Sequence, residues 1–143
     1  MAGSSKLSSI KILGYISVGL FIIIMILQLM LAAGILPISM AWGGRHTELT
    51  LTLRFSSLIA IILLCYFAYM IARRSGVMGN TPPTRLINIL SWFVTAYLVF
   101  NTVVNFLSSS QAEKWVFGPL TLALVVITLI INLMENPLPP KMD

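Results

Sequence analysis

Four long, predominantly apolar runs, residues 12–36, 53–72, 86–107 and 116–134, leave this chain few structures to adopt. Each approaches the roughly 20 residues that a helix needs to cross a hydrocarbon core. Each must be helical, because a lone strand leaves its backbone unpaired in lipid and none of the runs alternates apolar with polar as a barrel strand does. A soluble fold of 143 residues that is 58% apolar and only 9% charged has too little polar side chain to cover its surface. The expectation is therefore an all-α integral membrane four-helix bundle, a single transmembrane domain over residues 1–143.

The first run follows Lys6 and Lys11, and Leu31-Ala32-Ala33-Gly34 has the small residues of a signal-peptide cleavage site. Its length of about 25 residues exceeds the roughly 7–15 of a signal peptide's apolar region, so it is read as a retained helix. The cations mark topology. Lys6, Lys11, Arg73, Arg74, Arg85 and Lys141 fall on one side, and Arg45, Arg54 and Lys114 on the other. The positive-inside rule then puts both termini in the cytoplasm of a multi-pass protein of the cell membrane, with the Asn80-Thr81-Pro82-Pro83 turn cytoplasmic as well. Because these cations are scattered between apolar runs, the net charge of +5 gives no nucleic-acid footprint.

Proline punctuates the helices: Pro37 closes the first, Pro82 and Pro83 precede the third, and Pro119 stands in the first turn of the fourth. Trp42, Trp92 and Trp115 lie near span ends, where indoles form an interfacial belt. The proline-rich tail, residues 136–140, is expected to be extended.

Lipid is as apolar as leucine, so helix contact faces are traced by small and polar residues. Gly14, Ser17, Phe21, Ile24 and Gln28 recur at heptad spacing on the first helix. Asn88, Ser91, Thr95, Leu98, Thr102 and Asn105 do so on the third, and Thr121, Val125, Thr128 and Asn132 on the fourth. A sustained seven-residue period implies a left-handed bundle. The second helix instead spaces Ser56, Ala60, Ala68 and Ala72 in fours, a packing face.

Chemistry is sparse and gathers at one level. Gln28, Arg54, Asn101 and Asn105 fall in the outer parts of their helices, Arg45, His46 and Glu48 in the first outer loop, and Glu113 in the second. Together they are candidates to line an extracytoplasmic polar pocket for a small polar or anionic ligand. The second span is expected to begin near Glu48, holding Arg54 in its second turn. There the guanidinium must face the bundle or snorkel outward, with Glu48, Glu113, Asn101 or Asn105 as partners. Asn101 and Asn105, four apart, share a face that suits either a ligand or an interhelical bridge.

No metal or cofactor site is expected: one histidine and one distant cysteine, Cys65, make no zinc or bis-histidine haem set, and no Gly-rich phosphate loop occurs. Cys65 alone also precludes an intrachain disulfide. Glu48, Glu113, Glu135 and Asp143 all lie at or beyond span ends, unlike the deep carboxylate of a proton-coupled exporter.

The segments from Trp42-Gly43-Gly44-Arg45-His46-Thr47-Glu48 to Thr50, Arg54, and Glu113-Lys114-Trp115-Val116-Phe117-Gly118-Pro119 to Thr121 resemble those of small uncharacterised bacterial four-span integral membrane proteins. That resemblance implies a fold and no activity. Three functional readings follow from the residues. The leading one is a non-enzymatic accessory, ligand-binding or partner-binding module working among membrane lipids, as a homo-oligomer or with a partner membrane protein. The second is an oligomeric transporter or channel subunit whose polar stripes line a path. The third is a membrane enzyme acting on a lipid or quinone, with Arg54 as anchor and His46 or Glu48 moving protons.

Overall fold

The computed structural model describes residues 2–79 and 81–134, with side chains from Ser8 onward. The side chain of Lys6, Asn80 of the turn and the tail with Glu135, Lys141 and Asp143 lie outside the described residues. Four α-helices build the described chain: α1 (Ala2–Ala33), α2 (Leu51–Arg74), α3 (Arg85–Leu107) and α4 (Gly118–Leu133). α1, α2 and α3 each carry a segment long and apolar enough to cross a membrane, as does α4 together with the helical turn that precedes it, Glu113–Leu133, and the large apolar side chains that face outward are mostly Ile, Leu, Val and Phe.

The helices run alternately up and down. The start of α1 meets the end of α2, where Gly14 abuts Ser75 and Val77, and its other end meets the start of α2, where Gly34 lies beside Leu49 and Arg54. Sequence neighbours pack together, and α4 closes the ring against α1. One end, the basic end, carries the α2–α3 turn with Arg73, Arg74 and Arg85. The other, the loop end, carries the 34–50 and 108–117 connections.

Helix boundaries differ from the hydropathy reading for identifiable reasons. α1 begins at Ala2 rather than 12, because hydropathy marks contact with lipid, whereas the polar lead-in, free of proline, simply continues the helix. It is stopped by Gly34, not Pro37. Gly34 takes φ +77°, its N–H donates to the Leu31 carbonyl at 3.1 Å, and the Ile35 N–H reaches back to Met30 at 2.9 Å, the paired bonds of a glycine-terminated helix. α2 starts at Leu51 rather than near Glu48, because the Thr50 hydroxyl accepts the Leu53 N–H and caps it. Arg54 therefore sits in the first turn. Thr84 caps α3 in the same way.

The heptad stripes face inward. Gly14, Ser17, Phe21 and Ile24 of α1, Ser91, Thr95, Leu98, Thr102 and Asn105 of α3, and Thr121, Thr128 and Asn132 of α4 are all buried. Asn132 shows what they do. Its Nδ2 donates to the Ser91 carbonyl at 3.1 Å and the Thr95 hydroxyl at 2.9 Å, and its Oδ1 accepts from the Ser91 hydroxyl. From α2, the buried Arg74 guanidinium donates to the carbonyls of Asn132 at 3.3 Å and Met134 at 2.8 Å, which the end of α4 leaves unpaired. The basic end is thus tied across α2, α3 and α4 by polar groups. At the loop end α2 presents Leu53 and Ser57 inward, while Ser56 and Ala60 are only half-buried, so the expected four-residue stripe holds at Ala68 and Ala72 alone.

Candidate functional site

Toward the loop end the helices separate around a cavity of about 410 Å³. This lies at the lower end of the roughly 300–1,000 Å³ usual for small-molecule sites. Its wall is mainly apolar: Ile24 from α1, Leu53, Ala60, Leu63 and Leu64 from α2, Leu98 and Val104 from α3, and Phe117. Ala60, where a larger side chain would fill the space, bounds the cavity rather than a helix contact. The polar wall consists of Gln28, Trp42, His46, Tyr97, Asn101, Asn105, Glu113 and Thr121.

A loop covers the mouth. Its middle, Trp42-Gly43-Gly44, holds three successive positive φ angles of 57°, 79° and 70°, a left-handed path that two glycines make accessible. The turn brings the Gly43 N–H onto the Glu113 carboxylate, 3.2 Å from Oε1 and 3.1 Å from Oε2. Gly44 lies flat on the second loop, where an added Cβ would stand 2.9 Å from the Ser110 backbone nitrogen. The Trp42 indole N–H donates to Ser57 of α2 at 3.4 Å. The loop is therefore fastened at both sides of the mouth.

Glu113 is presented by an irregular helix start. Residues Glu113–Phe117 form a single π-helical turn ahead of α4, a feature often found at functional sites. Ser110-Gln111-Ala112-Glu113 has the spacing of a capping box, and the Ser110 hydroxyl does accept the Glu113 N–H at 3.4 Å. The reciprocal half is diverted. The Ser110 N–H goes to the Ser108 hydroxyl at 2.9 Å, Ser108 donates its own proton to Glu113, and the carboxylate is left to hold Gly43. Buried at 9% exposure, it is stabilised by these neutral donors and by the amino-terminal end of the helix.

Deeper in, amides dominate. Asn105 Nδ2 donates to Asn101 Oδ1 at 3.2 Å and to the Thr121 hydroxyl at 3.4 Å, so the pair bridges α3 to α4 while keeping one face on the cavity. Gln28 is different. Its amide makes no hydrogen bond among the described residues, and its Oε1 is sealed from solvent. An unsatisfied buried carbonyl oxygen costs about 1–3 kcal/mol, and the unbonded Nε2 is the atom this side chain leaves to the cavity.

Of the sequence candidates, Gln28, His46, Asn101, Asn105 and Glu113 are brought together on the cavity wall. Arg45 stands apart, with His46, on a shallower recess at the rim. Glu48 and Arg54 are exposed and border neither space. Arg54 does not face the bundle: its guanidinium lies over the end of α1, Nη2 being 3.8 Å from where a Gly34 Cβ would stand. No ion pair links it to Glu48 or Glu113, and no hydrogen bond to Asn101 or Asn105. Its early position on α2, fixed by the Thr50 cap, lets the side chain snorkel past the helix end.

No family model, characterised protein or solved structure matches this chain. The geometry also adds residues that sequence reading passed over. Tyr97 and Thr121 line the cavity and Ser108 anchors Glu113; for Ser110 and Glu113 the S-x-x-E spacing was the available signal. The Trp42 indole, placed near a span end, also ties the loop to α2 through Ser57.

Proposed function

We propose that this is a non-enzymatic, multi-pass membrane protein that binds a small ligand in the cavity at its loop end. The observation that carries this reading is the Gln28 amide, partnerless among the described residues, on the wall of a 410 Å³ cavity whose other polar groups are satisfied in part by one another. A purely structural bundle has no use for that space: filling it with larger side chains would stabilise the packing. The cation distribution supports a cell-membrane orientation with the basic end and both termini in the cytoplasm and the cavity mouth outside. Binding is favoured over catalysis because His46 is exposed and hydrogen-bonds to no described residue, while Glu113 is engaged in holding the loop. It is favoured over a conducting path because, at the basic end, the polar stripes of α3 and α4 are closed on each other through Asn132.

Native mass spectrometry of protein extracted in its own membrane lipids tests the reading. The wild type should retain a bound species that the folded Gln28→Leu/Asn101→Leu double variant loses. Identical spectra, showing bulk phospholipid alone, would overturn it.

A further inference from the structure

The cavity also specifies what kind of molecule it takes. We infer, resting on the binding role proposed above, that the ligand is an uncharged amphiphile with a hydroxyl-type head group, reaching the site from the bilayer between α2 and α3.

The head-group class follows from the hydrogen-bonding capacity left over. Glu113 has both oxygens on the Gly43 N–H and one on the Ser108 hydroxyl, and stands at the start of a helix, so its charge is committed to the loop. Arg45, Glu48 and Arg54 do not reach the cavity. An anionic head group would therefore find no guanidinium or ammonium there, and a cation would meet only a carboxylate already engaged. What remains are the amides of Gln28, with no partner among the described residues, and of Asn101, whose Oδ1 is taken by Asn105 and whose Nδ2 is not, together with the Tyr97 hydroxyl and the His46 ring, which also hydrogen-bond to no described residue. An amide nitrogen donates and an amide oxygen accepts, and a hydroxyl does both. Ser17 and Asn88 have partnerless buried oxygens as Gln28 has, but neither borders the cavity; Gln28 does, and its Nε2 rather than the sealed Oε1 is the amide atom left to a ligand there.

The body of the ligand follows from the rest of the wall. Leu53, Leu63, Leu64, Leu98 and Phe117 offer nothing to hydrogen-bond. The route follows from two residues of α3: Tyr97 and Val104 line the cavity and are 36% and 47% exposed. Their side of the cavity opens beside α2, toward lipid, whereas the mouth is fastened by the loop.

Bromine quenching of Trp42 provides the test. Trp42 lines the cavity, so a Trp92→Phe/Trp115→Phe background reports on that site alone. In nanodiscs, a brominated decanol should quench saturably. The corresponding brominated decanoate and decyltrimethylammonium should bind at least tenfold more weakly, and Gln28→Leu should raise the alcohol's Kd about tenfold while leaving the melting temperature unchanged or higher. If the charged probes bind as tightly as the alcohol, or Gln28→Leu leaves Kd unchanged, the head-group assignment fails while the binding role stands. If no probe quenches saturably and native mass spectrometry shows no retained species, both fail.

Discussion

Replacing Glu113 should free the loop that covers the cavity. In Glu113→Leu the Gly43 N–H loses its acceptor and the Ser108 hydroxyl loses its own. Hydrogen bonds to a charged group contribute about 1.5–3 kcal/mol each. Only the Gly43 interaction ties the covering loop, since Ser108 lies in the same connection as Glu113; at a partly open mouth its loss should release the loop by about 1.5 kcal/mol. At about 1.4 kcal/mol per factor of ten, that is roughly a tenfold increase in the open population. Hydrogen exchange at the Gly43 amide, followed by NMR on glycine-labelled protein in nanodiscs, reads this directly, since a locally opening amide exchanges in proportion to that population. The expected result is roughly tenfold faster exchange at Gly43, with the α3 amides unchanged. Glu113→Gln, which keeps one acceptor oxygen but no charge, should fall between. Unchanged Gly43 exchange in a folded Glu113→Leu protein would refute the latch.

Three further outcomes follow from the packing. Asn132→Leu removes the bonds to Ser91 and Thr95; at about 0.6 kcal/mol per interhelical bond in a membrane, with a maximum near 1.7, it should destabilise the bundle by about 1–2 kcal/mol in reversible detergent unfolding. Gly44→Ala meets two penalties, a left-handed φ of +70° and a Cβ 2.9 Å from the Ser110 backbone; it should lower the melting temperature by more than Gly43→Ala, whose Cβ would meet nothing within 4 Å. Arg54→Leu should change stability by no more than about 0.5 kcal/mol, as for other exposed sites without a partner, and should leave Trp42 quenching by the alcohol intact; a large loss in either measurement would return Arg54 to the site.

The fold was legible because lipid demands long apolar helices and contact faces made of small and polar residues. Hydropathy found the four spans, and the heptad positions of Ser17, Thr95, Thr128 and Asn132 do face inward. The boundaries were less legible, since Gly34 and Thr50 set them through backbone geometry and capping rather than through hydropathy. The site was readable in part. Gln28, Asn101 and Asn105 lie on helices whose inward face the heptad fixes, and they do converge. Arg45, Glu48 and Arg54 lie in or beside a connection whose path depends on three consecutive left-handed residues, and no periodicity extends across such a turn. Glu113 reached the cavity for a reason that spacing did not convey: a π-turn and a diverted capping box aim it at a backbone N–H from a loop 70 residues away.

The most direct measurement is a structure determined in lipid nanodiscs, read for density between the Gln28 and Asn101 amides. An elongated density along Leu63, Leu64 and Leu98, with its polar end at Gln28, is the expected result. A collapsed cavity in which Gln28 hydrogen-bonds to Asn101 or Asn105 would contradict it, because the unmet amide would then be satisfied by the protein itself.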